Sequence, residues 1–123
     1  MRRDPELIRK LMLAIEQSSQ PLNDQAQIDS YSRDEVAYHM RLIIEAGLAQ
    51  GSVMEDHSGG NTTIPRFVAI LRMTNTGHDF IDSIRGDTVW NAVTDKVKTL
   101  GGSFTLNVLQ QLALRVLMAH AGL

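Results

Sequence analysis

Four histidines, His39, His57, His78 and His120, are the first residues to test for chemistry in this chain of 123 residues. Two of them stand four residues from a carboxylate, as Glu35–His39 and His78–Asp82. On a helix that spacing brings the two side chains together, the arrangement a general acid–base pair needs. Chance alone supplies many such two-residue matches, and ordinary surface or capping contacts explain both pairs. His39 reads as a partly buried packing residue whose imidazole bonds to backbone or to Glu35. There is no cysteine and no His-Glu-x-x-His, so neither a thiolate site nor a zinc-protease pattern exists. The stretch HSGGNTT (57–63) lacks the Lys-Ser/Thr and the helix that a phosphate loop requires. The expectation is a non-enzymatic protein with no metal and no cofactor.

Basic residues raise a different possibility. Arg33 and Arg41 fall eight apart in YSRDEVAYHMRLIIEAGLAQG (31–51), a segment patterned like a helix that enters a DNA groove. Tyr38 lies between them. The opposing charge is substantial: from 33 to 46, Arg33 and Arg41 face Asp34, Glu35 and Glu45. The formal net charge of the whole chain is −2, so no global positive field draws it to nucleic acid. The exposed face of this helix, through positions 37, 41 and 44, includes Ile44, which is odd at a DNA-reading position and suits a face covered by the C-terminal helices or by a partner protein. About three or four cations per protomer are positioned for phosphate contact, a weak footprint.

The elements that must position these residues follow from periodicity and punctuation. Residues 4–18 read as a helix with Asp4 as N-cap, Pro5 at the first position and a stripe of Leu7, Leu11, Ala14 and Ile15. Residues 22–31 are polar, with room for a short strand around Ala26–Ile28. Ser32 and Glu35 form a capping-box pattern that opens the second helix. Val36, Met40, Ile43 and Gly47 share its inner face, and Gly47 is its left-handed stop. Leu48 to Met54 and residues 66–73 then read as the two arms of a β-hairpin, with Gly59-Gly60 turning a long polar tip. Thr74 or Thr76 caps a helix carrying Phe80, Ile81 and Ile84, which the Arg85-Gly86-Asp87 triplet breaks. Asp87 is expected to cap the next helix, Gly101-Gly102 to stop it and Ser103 to cap the last.

From Gly101 onward, Arg115 is the one charged side chain. Leu106, Leu109, Ala113, Val116 and Met118, with Val108, Leu112, Leu114 and Leu117, spread apolar surface over more than one helical face. Such a helix needs cover on several sides, which points to packing on the core and on a second copy of the chain, with cover by the core alone as the alternative. Trp90 is read as a core or interface anchor. The N-terminus lacks the apolar run of a signal peptide, and stretch 104–119 is short for a membrane span and interrupted by Asn107, Gln110, Gln111 and Arg115. The expectation is a cytoplasmic protein that does not enter membranes.

The order helix, short strand, helix, hairpin, helices is that of a winged helix. VAYHMRLIIEAGLA (36–49) resembles the recognition-helix segment of ArsR-type repressors through Val36, His39, Met40, Glu45, Ala46, Gly47 and Leu48. The segment LRMTNTGHDFIDSI (71–84) is similar to the joint that follows the wing in such proteins. Four blocks in order, MRRDPELIRKLMLAIE, YSRDEVAYHMRLIIEAGL, TGHDFIDSIRGDTVWNAV and GGSFTLNVLQQLA, resemble a bacterial and phage family, domain of unknown function twenty-five-thirteen. That resemblance implies a winged-helix-like fold and frequent occurrence in phages and prophages, and no activity. The chain departs from ArsR proteins in having no cysteine metal box and too few residues between 19 and 32 for the extra helix of a helix-turn-helix.

The expected fold is therefore α+β, mainly α: one domain with a winged-helix-like core over 1–84, a β-hairpin wing and a helical, dimerising extension over 85–123. Two functions fit. The first is a dimeric DNA-binding regulator in which Arg33, Tyr38, Arg41, Asn61, Thr62 and Arg66 touch DNA. The second is a protein-interaction module on the same scaffold, for instance a phage factor that binds a host protein. Ile44, Trp90, Leu109, Leu112, Val116 and Leu117 are the candidate interface residues.

Overall fold

The computed structural model of the chain describes residues 1–57 and 63–122. It is α+β and mainly helical, in the expected order: α1 (Pro5–Gln17), β1 (Leu22–Asn23), α2 (Arg33–Glu45), β2 (Ala49–Met54), β3 (Phe67–Met73), α3 (Asn75–Ile84), α4 (Asp87–Thr99) and α5 (Leu106–His120). The three strands form one antiparallel sheet in the order β1-β3-β2. Two compact units divide the chain, Met1–Gly77 and His78–Leu123, with the boundary inside α3.

In the first unit, α1 starts where Asp4 Oδ1 accepts the backbone N–H groups of Glu6 (2.9 Å) and Leu7 (3.4 Å). Its buried stripe is Leu7, Ile8, Leu11, Met12 and Ile15. The second helix opens on a complete capping box: Ser32 Oγ accepts from Glu35 N at 3.1 Å, and Glu35 Oε1 accepts from Ser32 N at 3.0 Å. These reciprocal bonds satisfy two otherwise orphaned amides. Gly47 ends the helix at φ +77°. The chain then enters β2, and Thr74 clamps the exit from β3 by donating to the Gly47 carbonyl (2.6 Å) while capping Gly77 N (3.0 Å). Thr74 is thus the cap that begins α3.

The short strand is Leu22–Asn23, not Ala26–Ile28. Leu22 and Asn23 pair with Ile70 and Ala69 on β3. The chain after it turns instead: the Asn23 side chain accepts from Gln25 N (2.8 Å) and its carbonyl from Ala26 N (3.0 Å), and the Ile28 carbonyl accepts from Tyr31 N (3.1 Å) in a second turn.

The hairpin carries a β-bulge. Gln50 pairs with Arg72 and Gly51 with Ile70, leaving Leu71 as the extra residue on β3. A bulge reverses which side chains point inward. Val68, Ile70 and Met73 are therefore all buried, while Leu71 and Arg72 both face solvent. The expected turn at Gly59-Gly60 lies outside the described residues.

In the second unit, Phe80, Ile81 and Ile84 of α3, Val89, Trp90, Val93 and Val97 of α4, and Leu109, Ala113 and Val116 of α5 are buried. Helices α4 and α5 pack on each other. Two expected caps differ. Gly86, not Asp87, holds the N-cap of α4, and Asp87 is the first helical residue, where its charge suits the positive helix end. Thr105, not Ser103, caps α5 by accepting from Val108 N at 3.0 Å. Gly101 and Gly102 both adopt positive φ, +82° and +80°, so the two-residue stop turns further than expected and moves the cap downstream.

The bulge makes Gly51 a point of close backbone approach: a Cβ there would lie 2.1 Å from the Ala69 carbonyl oxygen. Gly47, although left-handed, has open space around it. Gly51→Ala is expected to destabilise the protein by roughly 2–3 kcal/mol, and Gly47→Ala by only about 1 kcal/mol. Urea unfolding of the two variants checks the order.

Candidate functional site

Arg33 and Arg41, two of the residues expected to read DNA, meet at the junction of α2 with the hairpin, and a residue that sequence reasoning passed over holds the junction together. Asp24, directly after β1, is 1% exposed. Its backbone N–H donates to the Val68 carbonyl (3.1 Å), and its Oδ1 accepts the Val68 N–H (2.9 Å). Its Oδ2 accepts from Arg33 Nε at 2.9 Å. Burial by itself raises the carboxyl pKa, but the Val68 amide, the Arg33 guanidinium and the Asp24 N–H outweigh it and hold the group below its ordinary value of 3.8. The signal was weak in sequence: one aspartate in a polar stretch.

Arg33 is correspondingly engaged. Besides Asp24, it reaches Asp34 Oδ1 (3.1 Å), the Pro65 carbonyl (3.0 Å) and the Arg66 carbonyl. The first residue of α2 thus grips the incoming arm of β3. Arg41, two turns along, does the same for the other side of the hairpin loop. It donates to the Thr63 carbonyl at 3.1 Å and pairs with the Glu55 carboxylate, and its side chain is only 12% exposed.

Tyr38 is half-buried and its ring meets that of His39 edge-on. Arg66 is exposed. Asn61 and Thr62 lie outside the described residues. On the helix face expected to be open, Ala37 is fully buried and Ile44 half-buried, because α2 packs against both α1 and the sheet.

A second polar cluster ties α1 to α2. His39 is 1% exposed and uses both ring nitrogens: Nδ1–H donates to the Glu35 carbonyl (2.8 Å), and Nε2 accepts the Asp4 N–H (2.8 Å). That pair of bonds fixes a neutral imidazole, because a protonated Nε2 would face the Asp4 amide donor to donor. Burial depresses the His39 pKa below 6.5, despite the opposing effect of the Glu35 carbonyl and the Asp4 and Glu35 charges. Tyr31 completes the cluster by donating to Asp4 Oδ2 at 2.8 Å. Burial, the Asp4 bond and nearby carboxylates push its hydroxyl up to about 12. The Glu35 carboxylate itself serves the capping box, so the Glu35–His39 pair bonds through backbone. Likewise Asp82 meets Arg85 (2.7 Å) rather than His78. Among the described residues no three His, Asp or Glu side chains gather as a metal site.

The candidate interface residues divide by burial. Trp90, Leu109 and Val116 are buried, Leu112 is half-buried and Leu117 is exposed. Leu114 (54% exposed) and Met118 (42%) join Leu117 on one side of α5. In the first unit the outer sheet face carries Met54, Phe67 and Leu71, and Met54 pairs directly with Phe67. No described helix is long and apolar enough to cross a membrane.

Two expectations test this geometry. Asp24→Ala strands the Val68 amide and the Arg33 guanidinium and should cost on the order of 3 kcal/mol in chemical unfolding. For His39, the folded pKa lies below the unfolded one, so the unfolded state binds the proton first on acidification. Stability attributable to His39 is complete above about pH 6.5 and falls as the pH drops from there toward the folded pKa. Thermal melts across pH 7.5 to 5 should show that loss, and His39→Gln should flatten it.

Comparison with known proteins bears out the resemblance to domain of unknown function twenty-five-thirteen. A family model described as "Hypothetical protein (DUF2513)" matches residues 2–103. The chain is 30% identical over 115 residues, 92% of each chain, to an "Uncharacterized protein" of Haemophilus influenzae. No solved structure matches.

Proposed function

The chain belongs to the DUF2513 family, and from that premise we propose that it is a non-enzymatic protein-interaction module that self-associates, with DNA reading as the competing function. The observation that carries this reading is the engagement of Arg33 and Arg41. Both cations of the recognition-like helix are bonded to carboxylates and carbonyls of their own chain. A groove reader needs such side chains extended toward bases and phosphates.

Two apolar surfaces support protein partners. On the sheet, the cross-strand pair Met54 and Phe67 and, further along β3, Leu71 are exposed, and they include an aromatic and an adaptable methionine, residue types enriched in interfaces. On α5, Leu114, Leu117 and Met118 offer the face for a second copy of the chain. The sheet patch then takes the partner protein, for which a phage or prophage setting supplies a host target.

The reading separates from its competitor in two measurements. Sedimentation equilibrium should give a dimer that the exposed double substitution Leu114→Glu/Met118→Glu converts to monomer. Mobility-shift titration against genomic DNA fragments should show no complex at micromolar protein and low salt. A DNA shift that weakens with salt and is lost in Arg66→Ala, with self-association unaffected, overturns the proposal in favour of the DNA-binding regulator.

A further inference from the structure

Helices α4 and α5 enclose a groove of about 360 Å³ lined by Ala92, Lys96, Leu112, Arg115, Val116, Ala119 and His120. Its volume falls within the range of small-molecule sites. The lining has two parts. Ala92, Leu112, Val116 and Ala119 make an apolar floor, with alanines at two positions where larger side chains would fill the space. Lys96, Arg115 and His120 contribute every ionisable side chain of the lining, and none is acidic.

The cations are available. Among the described residues neither Lys96 nor Arg115 is held in an ion pair. His120 uses Nδ1 to donate to the Val116 carbonyl at 2.9 Å, which leaves Nε2 for another partner. Arg115 is also the one charged side chain from 101 to 123, and it stands at the groove rather than on the face of α5 that carries Leu114, Leu117 and Met118. At 100° per residue the two sets lie on opposite sides of the helix.

We infer that this groove binds a small anionic amphiphile, an aliphatic chain ending in a carboxylate, with the chain along Ala92, Leu112 and Ala119 and the carboxylate at Lys96 and Arg115. Charge complementarity selects the head group, and the apolar floor selects the tail. The run from Leu112 to His120 is roughly 12 Å along the helix axis at 1.5 Å per residue. That length suits one medium-length aliphatic chain. A docked peptide helix would need a longer groove with anchors repeated over several turns.

The test is a titration of the isotope-labelled full chain with decanoate below its micelle-forming concentration, followed by amide chemical shifts. Acetate and decyltrimethylammonium serve as head-only and charge-reversed probes. Saturable binding of decanoate is expected, with the largest shifts around residues 92–96 and 112–120 and no saturation by either control. Lys96→Ala/Arg115→Ala should weaken it by about tenfold. Ala119→Trp, at an exposed position, should fill the groove and abolish binding with an unchanged melting temperature. Equal binding of the cationic amphiphile, shifts centred on Leu114 and Met118, or no saturable binding at all would overturn the inference. So would an acidic helical peptide that occupies the groove while decanoate does not.

Discussion

A single buried carboxylate organises the first unit of this protein. Asp24 sits where β1 gives out after two residues, and its side chain continues the ladder that the backbone abandons. Its own N–H meets the Val68 carbonyl, and its carboxylate takes the Val68 N–H in return. A buried carboxylate without compensation would neutralise itself or unfold its surroundings. Arg33 supplies the compensation from the first turn of α2, then extends to the carbonyls of Pro65 and Arg66. Three elements distant in sequence are thereby fixed by one charge and its ligands. The capping box matters for the same reason: it sets where α2 begins, and so where Arg33 stands.

The bulge at Leu71 is the second organising feature. A regular hairpin would alternate inward and outward side chains along the whole of β3. Adding one residue lets Val68, Ile70 and Met73 all reach the interior, and it turns Leu71 and Arg72 outward together. The same irregularity brings the Gly51 backbone against the Ala69 carbonyl, where only glycine fits. Arg72, which unbroken alternation would turn inward, becomes surface by register, and Met73 becomes core.

Local signals were legible in the sequence, and long-range ones were not. The Asp4 cap, the Ser32–Glu35 box and the Gly47 stop are encoded within a few residues, so the boundaries of α1 and α2 could be read directly. The fold class and the element order followed from periodicity. The two-residue β1 carries no periodic signal at all, because its strand character comes from β3. The caps of α4 and α5 were displaced by one or two residues, where Gly86 and the left-handed Gly101-Gly102 pair decided the geometry. Asp24 could not be found by pattern, since a buried aspartate and a solvated one look alike without their partners. For the candidate site the limit was similar. Arg33, Tyr38 and Arg41 were correctly placed on a helix, but what each arginine bonds to depends on loop carbonyls some 20 to 30 positions away.

That dependence gives an energetic argument about nucleic acid. For Arg33 to reach a phosphate it must leave Asp24, and a buried carboxylate stripped of its partner costs several kcal/mol. One exposed charge contact returns about 1 kcal/mol or less at physiological salt. The exchange is unfavourable unless many other cations contribute. Arg41 is easier to release, because Glu55 is 45% exposed and water can solvate what is left behind. Even so, its carbonyl bond to Thr63 would go with it. A helix whose cations are committed to its own hairpin is a rigid support for that hairpin. Its rigidity then works in favour of whatever meets the hairpin's outer face, because a preorganised Met54, Phe67 and Leu71 surface loses little freedom when a partner covers it.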